Sequence, residues 1–334
     1  MKLYTIAMTS RYLTRQKQGR TYAYFDGEQQ ITDKEIIERI NNLAIPPAWK
    51  EVNIARSPRA KVQASGRDKA GRKQMIYSLQ YRTRQEKAKF ERIILFADAL
   101  PAMRKQIEYD LARKKLTKEK VLACIVKLMD QTYFRIGNST YAKDNQTYGI
   151  TTLRSKHTTV KGPEITFDFT GKSGQHQHKT ISDKQLARII RQLDELPGYE
   201  IFKYYDEDNT LQPIHSHDVN TYIKQYMGDE YTAKDFRTWG GTLLASVELT
   251  LKERSSSTTD RKKAITRCVK TVARHLGNTP SVTRSSYIDP RIIKAYDTSD
   301  LLHEVQRTVG TMETNTYLKP EERCVAHILQ SLAR

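Results

Sequence analysis

Apolar and polar positions alternate along the chain up to about residue 80 and recur at three- and four-residue spacing beyond it. Tyr22, Tyr24 and Phe25 run into Asp26-Gly27, a hairpin-type turn between strands. Asp33 is placed to cap a short helix over 33–42, with Ile36, Ile37 and Ile40 on one face, and Ile45-Pro46-Pro47 keeps that helix from continuing. Residues 52–77 predict two strands around a loop, 66–73, that is dense in glycine and basic side chains. Such a loop is either a solvated turn or a groove contact. The adjoining Gln74-Met75-Ile76-Tyr77 suits the second use, because alternate side chains of a strand share a face. The basic, uncapped stretch 82–87 reads as a linker, which divides the chain into domains at 1–85 and 86–334.

Beyond the linker the pattern predicts helices at 90–100, 103–114 and 117–136, the last with Val121, Leu122, Ile125, Leu128 and Met129 at helical spacing and Arg135 at its end. Strand alternation returns at 150–181: residues 164–170 pair with 175–181 across a tight Gly171-Lys172-Ser173-Gly174 turn, so Lys172 rides the tip of a hairpin. Helices follow at 182–195, 216–226, 233–249 and 260–276, with one or two after Pro290; residues 255–259 read as an exposed loop. The fold class expected is α+β, a small and mainly antiparallel β domain followed by a larger, mainly α-helical domain that carries a short β-hairpin sheet.

Composition narrows the partner. Among 334 residues, 57 Lys and Arg against 38 Asp and Glu give a net charge of +19. That balance predicts a polyanion as partner, with nucleic acid ahead of a membrane surface, since no run approaches ~18 apolar residues. The N-terminus lacks the apolar region of a signal peptide, and the expected location is cytoplasmic, nucleoid-associated if the source is bacterial. Cys124, Cys268 and Cys324 leave one thiol over in any disulfide scheme, which fits a reducing compartment. His176 with His178 and His215 with His217 alternate as on an exposed strand face, and no metal site is expected from them.

Cleaving a phosphodiester without a metal requires a nucleophile, cations for the non-bridging oxygens and an acid for the departing oxygen. Tyr287 is a candidate nucleophile, although a phenol with an ordinary pKa of about 10 attacks only in cationic company. Arg274, His275 and Arg284 are its basic neighbours in sequence, and Asn278-Thr279-Pro280-Ser281 between them reads as a turn. Arg135 and Arg237 are candidate phosphate ligands. Taken singly, each has a plainer reading: a packed ring for the tyrosine, a buried carboxylate or a helix C-terminus as partner for either arginine.

Taken together they form a familiar series. Phe134-Arg135-Ile136-Gly137-Asn138, Tyr141, the run from Asn145 through Gly149-Ile150-Thr151-Thr152-Leu153-Arg154 to His157, Gly171-Lys172, Lys234-Asp235-Phe236-Arg237-Thr238 and Gly277-Asn278-Thr279-Pro280-Ser281 with Tyr287 closely resemble the small type IB DNA topoisomerases of poxviruses and bacteria. The intervals from Arg135 to Lys172 and from Asn278 to Tyr287 match that family's, and Gly71-Arg72-Lys73-Gln74-Met75-Ile76-Tyr77 extends the resemblance into the first domain. It implies the catalytic fold shared with tyrosine recombinases. It further implies that Tyr287 attacks the scissile phosphate to form a 3′-phosphotyrosyl ester, that Arg135, Arg237 and Asn278 hold its oxygens, and that Lys172 protonates the leaving 5′ oxygen. Supercoils of either sign then relax by swivelling, with no cofactor, neither ATP nor metal. The partner implied is double-stranded DNA, enclosed by a monomer that closes as a clamp, with Arg72, Gln74, Tyr77 and Tyr141 at DNA-contacting positions.

Two positions depart from the poxvirus pattern. Asn278 stands where poxvirus members carry histidine, and Met75 replaces an aromatic residue, so no recognition sequence carries over. A tyrosine recombinase is the nearest alternative, but recombinases usually place histidine three residues before the second arginine, where this chain has Lys234. A non-enzymatic DNA-binding protein is the other, and the charge alone would suffice for it.

Overall fold

Burying one face of each strand against a single helix organises the N-terminal part of the chain. The structure is a computed structural model that describes residues 11–251, 253–308 and 316–332, and it divides into two compact units, Met1–Lys89 and Phe90–Arg334. The described strands of the first unit are β1 (Tyr12–Gln18), β2 (Thr21–Asp26), β3 (Gln29–Gln30), β4 (Lys50–Ala55), β5 (Val62–Arg67) and β6 (Lys73–Tyr77). They form one antiparallel sheet in the order β3-β2-β1-β4-β5-β6. Helix α1 (Lys34–Asn42) starts where Asp33 accepts from the backbone N–H groups of Glu35 and Ile36. Its Ile36, Ile37 and Ile40 pack on Leu13, Tyr24, Val52, Ile54 and Ala64. The two strands expected over 52–77 are β5 and β6, and the start of that span belongs to a third, β4.

The expected linker is helical. Helix α2 (Leu79–Leu111) runs unbroken through 82–87 and through Pro101, where two helices were expected. Residues 82–87 are Arg, Thr, Arg, Gln, Glu and Lys, mostly strong helix formers that favour the helix without any buried face. Pro101 costs about 3 kcal/mol in a helix interior. Burial of Phe96, Ala97, Leu100, Met103 and Ile107 around it offsets that cost, at roughly 1.5–3 kcal/mol for each large side chain.

In the second unit α3 (Lys118–Thr132) is enclosed on all sides, with Val121, Leu122, Cys124, Ile125, Val126, Leu128 and Met129 buried. It stops at Tyr133, which takes the left-handed conformation, φ 55°, so Arg135 lies in an extended segment beyond the helix rather than in its last turn. After α4 (Ser139–Asn145) come β7 (Thr158–Lys161), β8 (Glu164–Thr170) and β9 (His176–Ser182), an antiparallel sheet in that order, backed by α5 (Lys184–Asp194). A hairpin of β10 (Lys203–Tyr205) and β11 (Leu211–Pro213) has strands too short to leave an alternation in the sequence. The remaining described helices are α6 (Ser216–Met227), α7 (Ala233–Thr250), α8 (Thr258–Leu276), α9 (Pro280–Ser286), α10 (Pro290–Thr298), α11 (Leu301–Thr308) and α12 (Pro320–Ser331). The expected fold class stands, and residues 255–257 lie in the connection before α8. All three cysteines are buried and free, and burial pushes their thiols up, Cys124 and Cys268 to about 12. No helix among the described residues is long and apolar enough to cross a membrane.

An ionic knot ties α12 into this unit. Arg104 of α2 donates to Asp130 of α3 at 2.8 Å and to Glu322 of α12 at 2.7 Å. Burial alone would push the Glu322 carboxyl up, but the hydrogen bond and charge of Arg104 more than reverse this and hold it below the usual carboxylate range. Removing one partner from a buried pair strands the other charge. Glu322→Ala is therefore expected to destabilise the protein by about 3 kcal/mol, read as a lower urea midpoint with an unchanged slope.

Candidate active site

Arg135 is fixed by its backbone before its side chain matters. Its carbonyl accepts from Ile150 N–H at 2.8 Å, and the Ile136 carbonyl accepts from Thr151 N–H at 2.9 Å. The Gly149-Ile150-Thr151 run therefore serves to hold the extended segment that carries the arginine. From there the guanidinium reaches the C-terminal end of α8, donating to the Gly277 carbonyl at 3.2 Å and to the Asn278 side-chain oxygen. Arg237, in the second turn of α7, arrives at the same helix end from another side. It donates to the Leu276 carbonyl at 2.8 Å and to the Tyr133 carbonyl. Neither arginine has a carboxylate partner among the described residues. Both lean on carbonyls, including those at the negative pole of α8.

Tyr287 stands over this pair, with the Arg237 guanidinium carbon 5.1 Å from its ring centroid. The segment expected as a turn is a helix start: Thr279 caps α9, Pro280 opens it, and Tyr287 follows its last residue. The tyrosine backbone then seats on α7 at Gly241. A Cβ there would lie 2.5 Å from the Tyr287 carbonyl oxygen, so only glycine lets the two backbones meet. The next residue, Thr242, donates to the same carbonyl at 3.4 Å and accepts from Asp289 N–H at 3.1 Å.

The electrostatics favour an anion. Burial pushes the Tyr287 phenol up, but the charge and hydrogen bonding of Arg237, with the charges of Arg135 and Lys234, outweigh it and hold the phenol below its ordinary value. These are the cations that act on it most, rather than Arg274, His275 and Arg284 beside it in sequence. Burial and the neighbouring Arg135 push Arg237 down to about 10. Two buried donors, Arg237 Nε and Asn278 Nδ2, find no acceptor among the described residues. Buried donors are almost always paired, so these two leave unused hydrogen-bonding capacity at this helix end.

Arg135, Arg237, Asn278 and Tyr287 are thus gathered at one helix end. Lys172 is not in contact with them: it is exposed at the β8–β9 tip, in a 3-10 turn where Ser173 has φ 61°. The hairpin stalk nevertheless reaches the site. Buried Gln177 of β9 crosses Gly277, where a Cβ would sit 1.8 Å from its Nε2, and it also lies beside Gly171. Sequence reasoning missed this glutamine, as it missed Lys179 two residues on. Lys179 donates to the Thr132 carbonyl and sits 5.3 Å from the Phe134 ring centroid, while burial and Arg237 push its ammonium down to about 8. A lysine on an otherwise alternating strand gives no signal of that kind. The pair Gly240-Gly241 inside a helical pattern was the one readable sign of a close approach.

In the first unit Arg72 and Gln74 are both held by Asp68, which accepts from Arg72 Nε at 2.8 Å and Gln74 Nε2 at 3.0 Å. Tyr77 and Met75 are exposed on one face of β6, whereas Gln74 and Ile76 point to the other. Gln74 and Tyr77 therefore do not share a strand face. Tyr141 is exposed on α4.

Residues 78–312 match the family described as the catalytic core of eukaryotic DNA topoisomerase I, and residues 21–68 match the N-terminal domain of bacterial DNA topoisomerase IB. The DNA topoisomerase 1B of Acanthamoeba polyphaga mimivirus is 36% identical, over 82% of this chain and 84% of its own. The DNA topoisomerase 1B of vaccinia virus (strain Copenhagen) is 25% identical over 73% and 75%. DNA topoisomerase 1 of Schizosaccharomyces pombe is 27% identical, over 59% of this chain and 24% of its own. A β-rich unit followed by a helical unit with a lysine-tipped hairpin, and a match that spans both, lead to one assignment: the chain belongs to the type IB DNA topoisomerases.

Proposed function

We propose that this protein relaxes supercoiled double-stranded DNA by cutting and resealing one strand through Tyr287. The observation that carries the reading is the pair of carboxylate-free arginines, with two orphaned buried donors, around a phenol held below its ordinary pKa. In the forward step the Tyr287 oxygen bonds to phosphorus as the bond to the 5′ oxygen breaks. The phenol proton goes to solvent, and Lys172 gives a proton to the departing 5′ oxygen. Arg135, Arg237 and the Asn278 amide take up the charge that grows on the non-bridging oxygens, which is where fixed donors contribute most. The phosphotyrosyl ester keeps the energy of the broken bond. After swivelling, the 5′ hydroxyl returns that proton to Lys172 and reverses the attack.

Lys172 serves this scheme from a tip that moves to the phosphate when DNA arrives. Asp68 supports the expected role of Arg72 and Gln74 by holding the arginine of the loop and the glutamine of β6 on one carboxylate, and the first unit then meets the duplex as the second arm of a monomeric clamp. Tyr77 and Tyr141 offer exposed aromatic edges to it. On α8 an open groove lined by Lys262, Lys263, Arg267, Lys270 and Arg274 leads away from the Tyr287 end of that helix. It suits phosphates flanking the cut. The expected location is the cytoplasm, on the nucleoid if the source is bacterial.

The decisive experiment mixes the protein with supercoiled DNA in EDTA, denatures it, and tests for protein joined to a 3′ DNA end. Tyr287→Phe is expected to abolish the adduct and relaxation while DNA binding persists; an adduct formed by that variant would overturn the assignment. Gly241→Ala should leave the fold intact yet push Tyr287 off its seat, slowing single-turnover cleavage by roughly 10²-fold with binding unchanged. Because the phenol lies below its ordinary value, its phenolate builds up as pH rises earlier than that of an unperturbed phenol. The cleavage rate should rise with pH and level off below about 10, and the earliest phase of an ultraviolet phenolate titration should disappear in Tyr287→Phe.

A further inference from the structure

The outer face of the β8–β9 hairpin carries a cluster that the reaction above does not use. Asp168 and His178 are directly opposite in the strand register, and His176 lies two residues along β9, opposite Thr170. Strand periodicity therefore sends all three side chains to one face, while Phe167, Phe169 and Gln177 are buried on the other. His178 Nδ1 is 2.9 Å from one Asp168 oxygen, and His176 Nε2 is 3.6 Å from the second. The two imidazoles lie nearly parallel, at an interplanar angle of 19° with centroids 6.4 Å apart. One ligand atom from each of the three residues lies within 4.8 Å of the others.

A solvated Asp-His pair would explain a single contact, and such exposed pairs contribute little. It does not account for a second imidazole converging on the other oxygen of the same carboxylate. Around a tetrahedral zinc ion, ligand atoms ~2.0–2.2 Å from the metal are roughly 3.3 Å apart. Closing the observed spread asks for at most about 1.5 Å of movement, within reach of rotamer changes. All three side chains are more than half exposed, at 55%, 64% and 60%, and free to make that change. Two imidazoles and one carboxylate suit Zn²⁺ and its late first-row neighbours, whereas Mg²⁺ and Ca²⁺ favour oxygen donors alone.

We propose that Asp168, His176 and His178 form a binding site for a divalent transition metal, with Zn²⁺ as occupant, solvent completing the coordination. Since Asp168 is on β8 and both histidines are on β9, the ion clips the two strands together just below the turn that carries Lys172. The clip stiffens the base of the tip. Metal binding stands independently of the topoisomerase reading, and only its consequence for proton delivery rests on the role given to Lys172.

The test uses the full chain, stripped with chelator and free of DNA. Titration calorimetry with ZnCl₂ is expected to show saturable binding of one ion per chain. Asp168→Ala, His176→Ala and His178→Ala should each weaken it at least ~10-fold, and Lys172→Met should leave it unchanged. Absence of saturable binding in the parent, or affinity undiminished in all three variants, overturns the site. Hydrogen exchange at residues 171–175 should slow when Zn²⁺ is added to the parent but not to His178→Ala; unaltered exchange in the parent overturns the clip. Neither readout depends on covalent adduct formation, so failure of the cleavage assay and failure of the metal site are distinguishable.

Discussion

Two guanidinium groups held by carbonyl oxygens instead of carboxylates are the constraint on which the rest of the site depends. A buried cation without a counter-ion is costly, and Arg237 is only 3% exposed. The protein meets part of that cost with dipoles: Tyr133, Leu276 and Gly277 each present a carbonyl, two of them at the negative pole of α8. Dipoles orient the arginines without cancelling them, and the two cations still repel. The free site is overcharged, and a phosphodiester is the group whose arrival would relieve it.

Arginines elsewhere in the molecule show the contrast. Arg104 is locked between Asp130 and Glu322, Arg92 binds Asp235 in the first turn of α7, and Arg291 binds Asp289 next to Tyr287. Each joins structural elements and is neutralised in doing so. Arg92 and Arg291 do so close by: Asp235 lies two residues before Arg237, and Asp289 two after Tyr287. What separates the two classes of arginine is the partner, and the partner cannot be read from the residue type.

Motifs in register make the site largely legible in the sequence. Arg135, Arg237, Asn278 and Tyr287 stand out in ordered motifs and do meet, because short local structures, an extended segment, a helix turn and a helix cap, deliver each one. Lys172 is expected at a hairpin tip and is found there, apart from the others, since an exposed turn has nothing to hold it against the helix end. Illegible are the features that depend on what faces a residue across space. Pro101 looks like a helix stop because its cost is local while the burial that offsets it is tertiary. Gln177 and Lys179 look like ordinary strand residues, because Gly277 and Thr132 meet them from distant parts of the chain.

Gln177 joins two segments that lie far apart in the chain. Its side chain lies across the residue preceding Asn278 and against the glycine preceding Lys172. The turn that carries Lys172 and the backbone that carries Asn278 therefore meet through one side chain. Under the roles proposed for Lys172 and Asn278, displacing this one glutamine would disturb both segments at once.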